Sequence, residues 1–322
     1  MKRIISIIIS LVMLTGIMSG CGTQTKQSGK LSIVTTIFPE YDWVKQILGD
    51  KADQADVTLL LDNGVDLHSY QPTADDTVKI SSCDMFICVG GESDEWVDDI
   101  LKEAINKDMV VIDLLDVLGN DVKAEEVKEG MQTEEEEEEN DGEIEYDEHV
   151  WLSLRNAAKL CKYIGEKLGE IDAGSRDVYT ANANAYIEKL NELESRYRQT
   201  ADTAKVRTLL FGDRFPFKYL TDDYGLDYYA AFVGCSAESE ASFETIAFLA
   251  NKVDTLGLRA IMQIESADGK IANTIKSTTK TKDQKILTLD SMQSTTAKDV
   301  GNGVTYLSIM EKNLEVLKDA LN

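Results

Sequence analysis

Over residues 175–204 the chain contains neither glycine nor proline, and Tyr179, Ala183, Tyr186, Leu190, Leu193 and Tyr197 recur at alternating spacings of four and three. That period predicts one continuous helix with a single apolar stripe, opened by Asp172 or Ser175 as its cap. At ~1.5 Å per residue such a helix is roughly 43 Å long, enough to run the length of a pair of domains. A rigid connector of this kind restricts hinge opening in a way that a Gly/Ser linker does not.

On both sides of the rod, short β-rich runs alternate with helical stretches. Residues 31–37, 57–61, 85–89 and 109–113 read as strands before it, and 206–211, 228–233, 260–264 and 285–289 after it. Helices are expected at 41–48, 73–81, 96–105 and 160–168, then at 218–224, 242–256, 269–278 and 306–321. This rhythm implies parallel βα units, so the expected fold class is α/β. The 322 residues suit two domains of about 100–200 residues each. We read residues 31–172 as an N-terminal lobe, 173–204 as the connecting helix and 205–322 as a C-terminal lobe.

The first twenty residues read as a targeting signal rather than structure. Lys2 and Arg3 precede an apolar run from Ile4 to Met18, too short and wrongly flanked for a stable membrane span. Met18-Ser19-Gly20-Cys21 then places small residues before a cysteine and a polar tether over 21–30, which resembles the lipobox of bacterial lipoproteins. The resemblance implies a lipid anchor on Cys21 at the extracytoplasmic face of the cell membrane.

Asp and Glu outnumber Lys and Arg by 58 to 33. No basic cluster is available to neutralise phosphates, so nucleic acid is not an expected partner. Much of the excess is local, because residues 125–148 hold fourteen acidic side chains against one lysine, with six consecutive glutamates at 134–139. Such a segment has nothing apolar to bury and is expected to be a solvated loop. It would either add solubility or gather cations weakly. Besides Cys21 there are Cys83, Cys88, Cys161 and Cys235. Export permits disulfides, but no CxxC spacing occurs, and we read these four as buried small hydrophobes.

Only two histidines exist. His68 stands in Asp66-Leu67-His68-Ser69-Tyr70-Gln71-Pro72, after a strand, and His149 in Asp147-Glu148-His149-Val150-Trp151-Leu152, after the acidic segment. Loops at the carboxyl ends of parallel strands are where α/β folds bind ligands. Asp66 and Asp147 stand ready to hold the second ring nitrogens and fix the tautomers. Cys235 also follows a strand, and a thiolate facing the cleft would favour zinc.

The two motifs, Asp-x-His-x-Tyr-x-Pro and Asp-x-His-x-Trp-Leu, together with the lipobox, the charged loop and the long helix, resemble in type and order the zinc/manganese solute-binding lipoproteins of ABC uptake transporters, the cluster 9 or cluster A-I family. The resemblance covers residues 33–321. It implies two (βα)-type lobes with parallel sheets joined by one long rigid helix, with a metal site in the interlobe cleft. It also implies a monomer that captures a divalent metal for a membrane ABC permease, with His68 and His149 as the ligands of the first lobe. The second lobe departs from the pattern. Counting back from Tyr224-Gly225 puts Arg214, which is always cationic and cannot ligate, where the family has a His or Glu. Asp213 is the substitute ligand expected there. Glu265, after a strand, fits the family's acidic ligand, unless Arg214 pairs with it.

Two imidazoles with carboxylates suit Zn²⁺ or Mn²⁺; oxygen in place of a third imidazole makes manganese more plausible, while the resemblance to family members with a charged loop implies zinc, which we favour. No HExxH pair or nucleophile–base constellation is present, so an enzyme is not expected. A zinc-dependent hydrolase and a surface adhesion protein on the same fold are the competing readings.

Overall fold

The computed structural model describes residues 29–132, 145–236 and 240–322. Cys21, the apolar leader, most of the tether and the glutamate run at 134–139 lie outside the described residues.

Two four-stranded sheets are built from parallel strands. The first uses β1 (Leu31–Thr35), β2 (Ala55–Leu59), β3 (Met85–Cys88) and β4 (Val110–Asp113) in the order β2-β1-β3-β4. The second uses β5 (Thr208–Phe215), β6 (Asp227–Val233), β7 (Ala260–Gln263) and β8 (Lys285–Thr288) in the order β6-β5-β7-β8. Every pairing is parallel, so the carboxyl ends of the strands, and the loops that follow them, lie along one edge of each sheet. This is the α/β architecture that the alternation predicts.

In chain order the two sheets are connected by the helix Arg176–Asp202, 27 residues long. Tyr179, Ala183, Tyr186, Leu190, Leu193 and Tyr197 are all buried, so the four-three stripe is its packed face. The phenol of Tyr186 donates to Asp42 (3.3 Å) and that of Tyr197 to the Met310 carbonyl (2.6 Å). The helix is thereby tied to the first helix, Phe38–Leu48, and to the last, Tyr306–Leu321. Ser175 makes no side-chain cap. Asp172 instead accepts from the Tyr179 hydroxyl at 2.9 Å.

A single apolar cluster contains Ile33 and Trp43 from the first sheet's side, Leu190 from the long helix, and Phe211 and Tyr306 from the second. Burying each such side chain is worth about 1.5–3 kcal/mol. A shared core of this kind resists lobe separation more strongly than the connector alone. Leu31–Asn322 accordingly forms one compact unit.

Several elements differ from the sequence reading in extent. The first helix starts at Phe38 rather than 41, because Pro39 is tolerated in a first turn and Glu40 turns back to accept from the Thr36 and Ile37 amides. The helix expected at 160–168 spans Leu154–Ile171, capped by Ser153 accepting from the Asn156 amide. Strand β5 continues to Phe215 through a register shift between Phe211 and Arg214, which carries Asp213 and Arg214 inside the strand. Two five-residue helices, Leu114–Leu118 and Ala297–Gly301, are too short to show a period and were not expected. Among the described residues, no helix is long and apolar enough to cross a membrane.

Candidate metal centre

The loops that follow β2, β3, β6, β7 and β8 converge, and residues 145–149 enter between them. His68 lies in a single turn of 3-10 helix, Leu67–Ser69, whose start is capped by Asp66 accepting from the His68 amide at 3.1 Å. His149 is fully buried. Its amide donates to Asp147 Oδ1 at 2.9 Å, and its Nδ1 lies 3.1 Å from the same oxygen. A carboxylate only accepts, so the proton of the His149 ring is on Nδ1 and the Nε2 lone pair is free.

His68 is oriented differently from the sequence expectation. Its Nδ1 meets Ser93 Oγ at 2.7 Å and lies 3.5 Å from Glu148 Oε2, not against Asp66. Glu148 is buried, its Oε1 accepts from the Ser93 amide at 2.9 Å, and its Oε2 has no hydrogen bond. With Nδ1 donating to either of these oxygens, Nε2 is left as a lone pair. Gly91 permits the arrangement. At φ +79° it adopts a conformation other residues avoid, and a Cβ there would overlap the Glu148 carboxylate.

The two Nε2 atoms face each other 3.2 Å apart. Two tetrahedral nitrogen ligands, each about 2.0–2.1 Å from zinc, sit roughly 3.3–3.4 Å from one another. The observed spacing is therefore close to the bite of a single zinc ion. Gln293 meets both lone pairs, its amide nitrogen 2.8 Å from His149 Nε2 and 3.2 Å from His68 Nε2. Burial, the neighbouring His149, and Arg214 push the His68 pKa down to about 3, against the opposing charge of Asp66. The ring stays neutral and available as a ligand well into the acid range.

Asp213 and Glu265 both accept backbone amides and are not in the tight group of ligand atoms around the imidazoles. Asp213 accepts from the amides of Arg214 (2.9 Å) and Ile264 (3.1 Å), and so fastens β5 to the end of β7. Glu265 accepts from the Ser291 amide (2.7 Å), the Gln293 amide (3.1 Å) and the Ser294 amide (3.3 Å), besides two serine hydroxyls. It shapes the loop that presents Gln293. Neither carboxylate joins the histidines. Arg214 does not pair with Glu265 either. It forms an ion pair with Asp66 across the cleft, so the acid expected to steer the His68 ring is engaged by the arginine instead.

Among the described residues, one group of His, Cys, Asp and Glu ligand atoms is tight enough to share an ion. It comprises His68, His149 and Cys235, whose ligand atoms lie within 4.8 Å of one another. Cys83, Cys88 and Cys161 are buried and free, as expected, but Cys235 is only partly buried. The sequence reading missed Ser93, Glu148 and Gln293 as partners of the rings. Applying the carboxyl-end rule to β8 would have reached the loop holding Gln293.

Two parallel-sheet lobes on a shared core bring their loops together around a facing imidazole pair, an arrangement chemically suited to one small cation. The family model for the zinc-uptake complex component A, periplasmic (ZnuA), matches residues 33–320. The chain is 33% identical to the zinc-binding lipoprotein AdcA of Streptococcus pneumoniae over 99% of its own length and 61% of AdcA. It thus spans about three fifths of that relative. It is 31% identical to the high-affinity zinc uptake system protein ZnuA of Bacillus subtilis over 97% of this chain and 94% of that one. Two crystal structures resemble it. The Zn(II)-bound ZnuA-like domain of Streptococcus pneumoniae AdcA has TM-score 0.71 and 32% identity, covering 91% of this chain and 99% of the domain. The metal-dependent lipoprotein YcdH of Bacillus subtilis has TM-score 0.73 and 29% identity, covering 91% and 99%. The chain belongs to the ZnuA family of zinc-uptake components. The relatives named here are metal-binding and uptake proteins, not enzymes.

Proposed function

We propose that this protein captures zinc outside the cytoplasm and hands it to an ABC permease, while anchored to the outer face of the cell membrane through a lipid on Cys21. The observation that carries the reading is the pair of imidazoles, His149 buried and His68 partly so, whose Nε2 atoms face each other at 3.2 Å. Their outer nitrogens are occupied by Asp147, Ser93 and Glu148. Such an arrangement presents two neutral, oriented nitrogen donors and no reactive nucleophile. Nitrogen donors at this spacing suit zinc better than manganese, which favours oxygen. Zinc here is cargo. Its release requires a partner that disturbs the loops after β2 and β8, and the permease is the partner in a position to do so.

The test is growth in zinc-depleted medium. Cells lacking this protein should recover zinc accumulation when given the parent chain, and fail to recover with His68→Ala plus His149→Ala. Cys21→Ala should shed the protein into the medium. Full recovery by the double histidine variant would reject the capture reading, and membrane retention of the Cys21 variant would reject the anchor.

A further inference from the structure

Among the described residues of the second lobe, Cys235 is the ligating side chain that groups with both imidazoles. It follows β6 in the segment Val233-Gly234-Cys235-Ser236, and its backbone amide donates to Glu125 Oε1 at 3.3 Å. Gly234 is what brings it there. A Cβ at residue 234 would stand 3.0 Å from His149 Cε1 and 3.0 Å from the Phe215 carbonyl. Only a glycine lets the backbone run this close beneath the ring.

Three charged side chains of that lobe have partners elsewhere. Asp213 holds two backbone amides, Glu265 holds the loop of Ser291 and Ser294, and Arg214 is paired with Asp66. Independently of the cysteine, the two rings themselves point to a ligand. With both protons on Nδ1, the facing Nε2 atoms are both acceptors and cannot bond to each other. They need an electron-pair acceptor between them, a part that the Gln293 amide plays at 2.8 and 3.2 Å. A cation entering between the rings displaces that amide from both lone pairs.

We propose that Cys235 coordinates the captured metal as a thiolate, so that the site is His68, His149 and Cys235. This inference rests on the zinc-capture reading and deepens it. The thiol proton leaves to solvent as the sulfur–metal bond forms, one proton per cation, with no change of oxidation state. A zinc-bound sulfur (about 2.3 Å from the metal) sits roughly 3.6 Å from a nitrogen ligand in tetrahedral geometry. Cys235 Sγ and one nitrogen of each ring already lie within 4.8 Å of one another. A soft sulfur donor selects zinc or cobalt over manganese, magnesium and calcium.

The experiment uses the full chain loaded with Co²⁺, whose thiolate complexes give an intense near-ultraviolet sulfur-to-cobalt charge-transfer band. The parent should show the band, Cys235→Ser and Cys235→Ala should lose it while retaining weaker visible cobalt bands, and zinc affinity should fall at least about tenfold, the loss seen when even an outer partner of a ligand is removed. Zinc should also shield Cys235 from a thiol reagent in the parent. A parent cobalt complex without the band, or Cys235→Ala binding zinc as tightly as the parent, overturns the proposal. If those results accompany loss of zinc in the double histidine variant, the capture reading stands and the thiolate alone is rejected. If the double histidine variant also binds normally, both fall.

Discussion

Arg214, at the end of β5 in the second sheet, is ion-paired with Asp66, two residues before His68 in the loop after β2. The other Asp66 oxygen accepts the His68 amide. One carboxylate thus joins the lobes and fixes the turn that carries a ligand. The Ala297 amide, donating to the Asp62 carbonyl at 2.6 Å, ties the same loop after β2 to a second segment of the C-terminal lobe, the one after β8.

Arg214→Ala should therefore lower stability and loosen His68 together. Both side chains keep some solvent contact, so the pair is worth about 1–2 kcal/mol rather than the larger figure of a fully buried pair. A double-mutant cycle with Asp66→Asn, read by denaturant unfolding, should show positive coupling. Strictly additive effects would show that the pair contributes nothing.

In this structure Glu265 braces the loop of Gln293 by accepting the Ser291, Gln293 and Ser294 amides. Glu265→Ala strands three backbone amides and should cost about 2–4 kcal/mol, since hydrogen bonds to a charged acceptor are worth about 1.5–3 kcal/mol each. Glu265→Gln keeps an acceptor oxygen and should leave zinc affinity near that of the parent while lowering the unfolding midpoint. A large affinity loss in the Gln variant at unchanged stability would return Glu265 to the ligand set.

Asp94 makes a pH-dependent contribution. Its Oδ2 accepts from the Val89 and Gly90 amides, while its Oδ1 is buried without a partner. Burial, with added repulsion from Glu148 and Asp113, lifts its pKa from 3.8 to about 7. The folded state therefore binds the proton more tightly than the unfolded chain does. Stability is full at low pH and is lost as pH rises from about 4 to 7, by up to about 1.4 kcal/mol per pH unit. Asp94→Asn retains an acceptor for both amides and should stabilise the protein at pH 7.5 much more than at pH 4.5. An equal gain at both values would mean that Asp94 stays ionised throughout.

The fold was readable because its signals are local. The stripe from Tyr179 to Tyr197 and the alternation of β-rich and helical runs follow from the chain's own periodicities. The site was readable only in part, for a different reason. His68 and His149 stand out because they are the chain's only imidazoles, and each follows an aspartate by two residues. Asp213 and Glu265 look equivalent to ligands in sequence, yet a carboxylate's role depends on which amides reach it first. Those amides belong to Ile264, Ser291, Gln293 and Ser294, positions fixed only by packing β5, β7 and β8 side by side. Arg214 was likewise legible as a misfit, but its partner in the other lobe was not.

The most direct measurement is a calorimetric zinc titration of the parent chain beside His68→Ala plus His149→Ala, with circular dichroism to confirm that both are folded. The account predicts one tight zinc site in the parent and none in the variant, with unchanged helix content. Tight zinc binding by a folded variant lacking both rings would contradict it.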